Sequence, residues 1–135
     1  VFCEILAGDR PAHVVLRGPA AAAFLDHAPL FPGHVLVVPL RHHATLTDLP
    51  AEEIEPYFAM VQRFVEVLPA ALGCDGSFVA MNNVVSQSVP HLHTHVVPRT
   101  RGDGLRGFFW PRTRYADEAT AAEVALRLTA ALGPS

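Results

Sequence analysis

Residues 86–99 read Ser86-Gln87-Ser88-Val89-Pro90-His91-Leu92-His93-Thr94-His95-Val96-Val97-Pro98-Arg99. Three histidines alternate with Leu92, Thr94 and Val96. In a strand, side chains alternate between faces and each residue advances ~3.3 Å, so the three imidazoles would share one face over roughly 13 Å. On a helix, positions 91, 93 and 95 would point in different directions and the spacing would be wasted. β-branched Thr94, Val96 and Val97 favour the strand, with Pro90 and Pro98 expected to bracket it. Leu92, Thr94 and Val96 then face a core.

A row of imidazoles suits two chemistries. It can bind a transition metal, since histidines at i and i+2 of a strand can chelate one ion. It can also attack and hold a phosphoryl group. Near neutral pH one ring can be a neutral nucleophile while a neighbour carries a proton. A phosphorus centre needs both an attacking nitrogen and donors for its oxygens. Gln87, Ser88 and the main-chain N–H groups of a turn at 86–88 would add donors.

At these residues the chain resembles the histidine triad (HIT) family, whose signature is His-φ-His-φ-His-φ-φ with φ apolar. His91 to Val97 match it except at Thr94, where a β-branched residue still fits a strand. Ser86-Gln87-Ser88-Val89 is similar to the family's Gly-Gln-Ser-Val lead-in, with Ser86 in place of glycine. The similarity runs from Phe2 to about Val97 and weakens beyond.

With 135 residues, half of them apolar and 17% charged, the chain has enough length for one core and an ordinary globular composition. A formal charge of −3 argues against a general nucleic-acid binder, so any anion site must be local. All ten basic residues are arginine. Cys3 and Cys74 are too few for a disulfide framework, which favours a reducing compartment, and a cytoplasmic protein is expected. No apolar run reaches the ~20 residues of a membrane span, and no signal peptide is visible.

In chain order, strands are expected at His13–Arg17, from Ala20 to near Asp26, at His34–Pro39 and at Ser77–Asn83, before the His strand. His34–Pro39 is nearly all apolar, as a strand buried on both faces should be. Leu49-Pro50-Ala51-Glu52-Glu53 starts a long helix, and Ile54, Phe58, Val61, Val65, Leu68 and Leu72 form its apolar stripe. Pro69 should bend or loosen its last turn, and Gly73 ends it. A second helix spans Asp117–Leu132. The class is α+β, a largely antiparallel sheet of about five strands with a long helix and a C-terminal helix, as in the HIT fold. One domain is expected over 1–135, its core at about 2–98 and a C-terminal loop and helix at 99–135.

The resemblance implies a set of roles. His93, the middle histidine, attacks the α-phosphorus and forms a nucleotidyl-histidine intermediate, its other ring nitrogen held by a main-chain carbonyl. His95 contacts the α-phosphate. His91 and His42, the latter from Val38-Pro39-Leu40-Arg41-His42, support it, while His43 has no family match and is expected at the surface. Gln87 and Ser88 contact phosphate and leaving group, and Ser88 can pass a proton. Asp26 binds the ribose hydroxyls; it would otherwise start a turn before Pro29. Phe2, Ile5 and Phe24 wall the base pocket, or are plain core. Asn82 or Asn83 touches the sugar, although the Asn-to-Gln spacing is shorter than usual.

Some bacterial relatives hold a structural zinc on Cys-x-x-Cys with the counterparts of His42 and His91. Here Cys3 is the visible member, and its mate would precede Val1. The Arg-rich stretch 99–114, carrying Phe108-Phe109-Trp110-Pro111, either closes over the site or is a loop in solvent or against a partner subunit.

The function implied is hydrolysis or transfer on a nucleoside phosphoramidate or dinucleoside polyphosphate, with a purine expected and no cofactor required. The partner is a small-molecule nucleotide rather than nucleic acid or membrane, and the family fold implies a homodimer. Two other readings stay open: a nucleotide-binding protein with little turnover, and a zinc-centred site on His91, His93 and His95.

Overall fold

The sheet is laid down in the strand order Val14–Arg17, Ala21–Leu25, Val35–Pro39, Thr94–Arg99, Gly76–Ala80, antiparallel throughout. A computed structural model describes residues 1–106 and 111–134. The strands are β1 (Val14–Arg17), β2 (Ala21–Leu25), β3 (Val35–Pro39), β4 (Gly76–Ala80) and β5 (Thr94–Arg99), with helices α1 (Phe2–Ala7), α2 (Ala51–Leu72) and α3 (Glu118–Leu132). The chain divides into two units, Val1–Asp103 and Gly104–Ser135. The second carries α3, whose N-terminus is capped by Asp117 accepting from the Thr120 N–H at 2.7 Å. None of the described helices is long and apolar enough to cross a membrane.

Alternation along β2, β3 and β5 sends side chains to two different cores. On one face Ala21, Ala23, Val35, Val37, Leu92 and Val96 pack against α2. On the other, Phe24, Leu36 and Val38 pack with Phe2 of α1. β3 is thus buried on both faces, as its apolar run requires. Ala21–Leu25 is a strand despite its helix-forming alanines, because five consecutive pairings with β3 outweigh local propensity.

Three details depart from the sequence expectations. The buried face of α2 carries Glu53, Tyr57, Met60, Val61, Phe64 and Leu68, whereas Ile54, Phe58 and Leu72 of the expected stripe are exposed. Two apolar stripes lie side by side, and polar heads disguise the inner one. The Tyr57 hydroxyl donates to the Val37 carbonyl (2.9 Å) and meets the Thr94 hydroxyl (2.7 Å), so it is satisfied at full burial. Second, β5 begins at Thr94, so His91 and His93 lie in an extended lead-in. Continuing the β3–β5 register would set Leu92 against Pro39, which has no N–H to give. The Leu92 N–H goes instead to the His43 carbonyl at 2.7 Å. Third, Pro98 lies inside β5 rather than ending it; it pairs with Ser77 of β4, past the last β3 partner at Val96. Helix α1, which the sequence reading does not anticipate, ends at Gly8 with φ +85°.

Candidate active site

The spacing of the histidines survives the change of element. Leu92, Thr94 and Val96 are fully buried on the α2 side, and His91, His93 and His95 take the opposite face. Phe2 of α1 lies edge-on to His91 and His93, with ring centroids 5.8 and 5.1 Å away. His93 and His95 stand 5.1 Å apart, centroid to centroid.

Partners assign the protons on these rings. His93 Nδ1 lies 2.8 Å from the His91 carbonyl, which can only accept, so Nδ1 carries the hydrogen, and in the neutral ring Nε2 keeps its lone pair. His91 Nε2–H donates to the Pro39 carbonyl at 3.0 Å, leaving Nδ1 bare. Burial lowers the pKa of His91, and the neighbouring histidines add to this, while the Pro39 carbonyl opposes it. Burial, with the charges of His93 and His34, pushes His95 down to about 4, partly offset by Asp26.

A cavity of ≈ 700 Å³ opens beside these rings. Its lining includes Phe2, Ile5, Phe24, Asp26, Ser88, His93 and His95 from the expected set, and also Arg10, His13, Leu36 and Val89. Asp26 Oδ1 accepts the Ala28 N–H at 2.9 Å in an Asx turn, and Oδ2 lies 3.6 Å from His34 Nε2. Asp26 thus starts a turn and also lines the cavity.

Other expected contacts stand outside the cavity lining. The Gln87 amide donates to the Ala44 carbonyl (2.6 Å), and its oxygen accepts the Val84 N–H (3.0 Å). Asn82 donates to the Ser86 carbonyl, and Asn83 accepts the Leu46 N–H. These three brace the loop before the triad. In that loop Ser86 sits at φ +61°, the left-handed conformation that suits the family's glycine.

His43 is not a surface histidine. Its side chain is 11% exposed, and Nε2 donates to Glu53 at 2.7 Å, beside the Arg41–Glu53 pair. Glu53 thus holds His43, whose carbonyl takes the Leu92 N–H and anchors the triad's lead-in. Nothing in the sequence marks Glu53 except a first-turn acid. His34 likewise looks in sequence like part of an apolar strand; its signal is a lone polar group at positions 34, 36, 38 of one face.

Behind the cavity, Cys3 Sγ lies 3.5 Å from Nδ1 of both His42 and His91, and those nitrogens are 3.2 Å apart. Zinc with N and S ligands at tetrahedral angles sets donor atoms ~3.3–3.6 Å apart, so these three residues fit a zinc corner. The three triad imidazoles do not form such a group. Among the described residues the convergent sets are Cys3–His42–His91 and Asp26–His34–His95. Of the Arg-rich stretch, Arg99 is held by Asp103 at 2.6 and 3.0 Å, and 107–110 lie outside the described residues.

The HIT domain family model matches residues 7–102. The chain belongs to the HIT family. An uncharacterized HIT-like protein of Methanocaldococcus jannaschii is 42% identical over 77% of this chain and 81% of its own. The adenosine 5'-monophosphoramidase of Schizosaccharomyces pombe is 32% identical over 82% of each chain. Among solved HIT structures, a Bacillus subtilis member superposes with a TM-score of 0.87 at 28% identity, covering 100% of this chain and 98% of its own. A zinc-bound member from Mycobacterium smegmatis superposes at 0.73 with 33% identity, covering 93% and 95%.

Proposed function

We propose that this chain is a nucleotide hydrolase or transferase that opens the α-phosphate of a nucleoside phosphoramidate or dinucleoside polyphosphate through a nucleotidyl-His93 intermediate. The observation that carries it is the 2.8 Å hydrogen bond from His93 Nδ1–H to the His91 carbonyl, which leaves the Nε2 lone pair free on a residue that lines the cavity. The carbonyl also stabilises the positive charge that the ring gains on attack.

In the first step Nε2 bonds to the α-phosphorus and the bond to the leaving amine or nucleotide breaks, its electron pair going to the leaving group. Ser88, at the cavity, passes that group a proton. His95 donates to a non-bridging oxygen. In the second step water, giving up a proton to the same cluster, displaces Nε2 and frees the nucleotide. Phe2, Ile5 and Phe24 offer apolar walls to the base, and the Asp26 carboxylate accepts from the ribose hydroxyls. The named activity of the fission-yeast relative supports the phosphoramidate as first substrate.

A structural zinc on Cys3, His42 and His91 would tie α1 to the β3–α2 connection and the triad's lead-in, and takes no part in the steps above. Turnover of adenosine 5′-phosphoramidate tests the enzyme reading: His93→Ala should abolish it. Equal rates in the two proteins would leave only a nucleotide-binding protein.

A further inference from the structure

Glu53 is an acid buried in the first turn of α2, and its two partners are unlike. Arg41 reaches Oε1 at 3.1 Å from a side chain that stays 72% exposed. His43 donates to Oε2 at 2.7 Å from a side chain as buried as that of Glu53. A buried pair of this kind adds little net stability, because taking both groups out of water offsets their attraction. What it supplies is a fixed position, and the main chain shows for what.

His43 and Ala44 turn successive carbonyls towards the loop before the triad. The His43 carbonyl accepts the Leu92 N–H at 2.7 Å, and the Ala44 carbonyl accepts the Gln87 side-chain N–H at 2.6 Å. The Leu92 N–H belongs to the same peptide group as the His91 carbonyl. That carbonyl accepts His93 Nδ1–H at 2.8 Å. In a trans peptide the N–H and C=O point to opposite sides, so one plane carries both bonds. His43 holds the plane by its N–H, and the plane holds the His93 ring by its C=O.

We infer that Glu53 and His43 are a positioning pair for His93, acting from α2 through the His91–Leu92 peptide group. The inference rests on the reading of His93 as nucleophile. Neither member lines the cavity. Without the side-chain bond, segment 43–44 is free to shift, the peptide plane rotates, and the His91 carbonyl swings off the His93 Nδ1–H. The ring then meets phosphorus less often in line with the bond that breaks. Donation from Leu92 also polarises the shared peptide group and makes its carbonyl the stronger acceptor.

NMR reads this chain of bonds, and steady-state kinetics reads its consequence. In the wild type, the Leu92 amide nitrogen should show a through-hydrogen-bond coupling to the His43 carbonyl. His43→Gln keeps a donor towards Glu53, His43→Leu removes it, and Glu53→Leu removes the acceptor with His43 in place. In either Leu variant the coupling should weaken, and kcat on a phosphoramidate should fall about tenfold with KM little changed. His43→Gln should restore both. The two Leu changes together should lower kcat no further than one, because both cut the same contact. Absence of the coupling in the wild type overturns the inference without any variant. So does an unchanged coupling in whichever Leu variant folds, an unchanged kcat there, or additive losses in the double variant. If the wild type turns over no phosphoramidate, the proposed reaction fails and the pair is judged on the ring alone. The His93 Nδ1–H signal then moves when the coupling weakens, or the inference falls as well.

Discussion

At the residue scale, the site is a set of imidazoles oriented by their hydrogen-bond partners. Thr94 illustrates how far single positions were legible. It breaks the apolar signature, and its β-branched shape is compatible with a strand. Its hydroxyl in fact meets Tyr57, a partner 37 positions away that no local pattern announces. The Cys3–His42–His91 corner was reached by family likeness, and its donor separations agree. His34 was missed because it heads an apolar run and its partners, Leu30 N–H and His95, are set only by folding. His34 and His95 also tie stability to pH. Burial lowers both, His95 from 6.5 to about 4. Between those values the unfolded chain binds protons that the folded chain refuses, so folding is favoured above the window and stability falls as pH drops through it. Urea midpoints should therefore fall between about pH 7 and about pH 5, and fall less in His95→Asn. A flat midpoint across that range would contradict the burial of neutral rings.

At the scale of elements, strands β1 to β3 and both long helices follow from turn residues and apolar runs in the sequence. What local pattern missed was set by packing. The helix face was misjudged because Glu53 and Tyr57 look polar until His43, Arg41, Val37 and Thr94 satisfy them. The triad's first two histidines fall outside β5 because Pro39 ends the ladder on its neighbour. Both effects are tertiary, and no window of sequence contains them. α1 is six residues long, too short to persist alone, and the contacts that dock it include Phe2 against Phe24 and Cys3 against two histidines. Zinc at that corner would fasten it. Protein prepared with zinc should retain about one ion per chain, and chelation or Cys3→Ser should lower the melting temperature by several degrees. Retention of zinc by Cys3→Ser at wild-type stoichiometry would place the ion elsewhere.

At the scale of the whole molecule, the first unit exposes large apolar side chains. Val79 of β4 is exposed, and α2 turns Ile54, Phe58 and Leu72 outward. Apolar side chains turned to solvent are a hazard in a monomer, and we propose that a second copy covers those of α2. Light scattering should give twice the chain mass, and Ile54→Glu with Phe58→Glu should give a monomer. A wild-type monomer at micromolar concentration would remove the dimer.

The central claim is that His93 Nε2 bonds to phosphorus. Mixing the protein with excess adenosine 5′-phosphoramidate, quenching early in alkali and mapping the intact mass to a peptide reads that bond directly. The account predicts one nucleotidyl group, attached at His93, that appears before free nucleotide and is absent in His93→Ala. Product released in the first turnover with no such adduct, or an adduct on His95 instead, would contradict it.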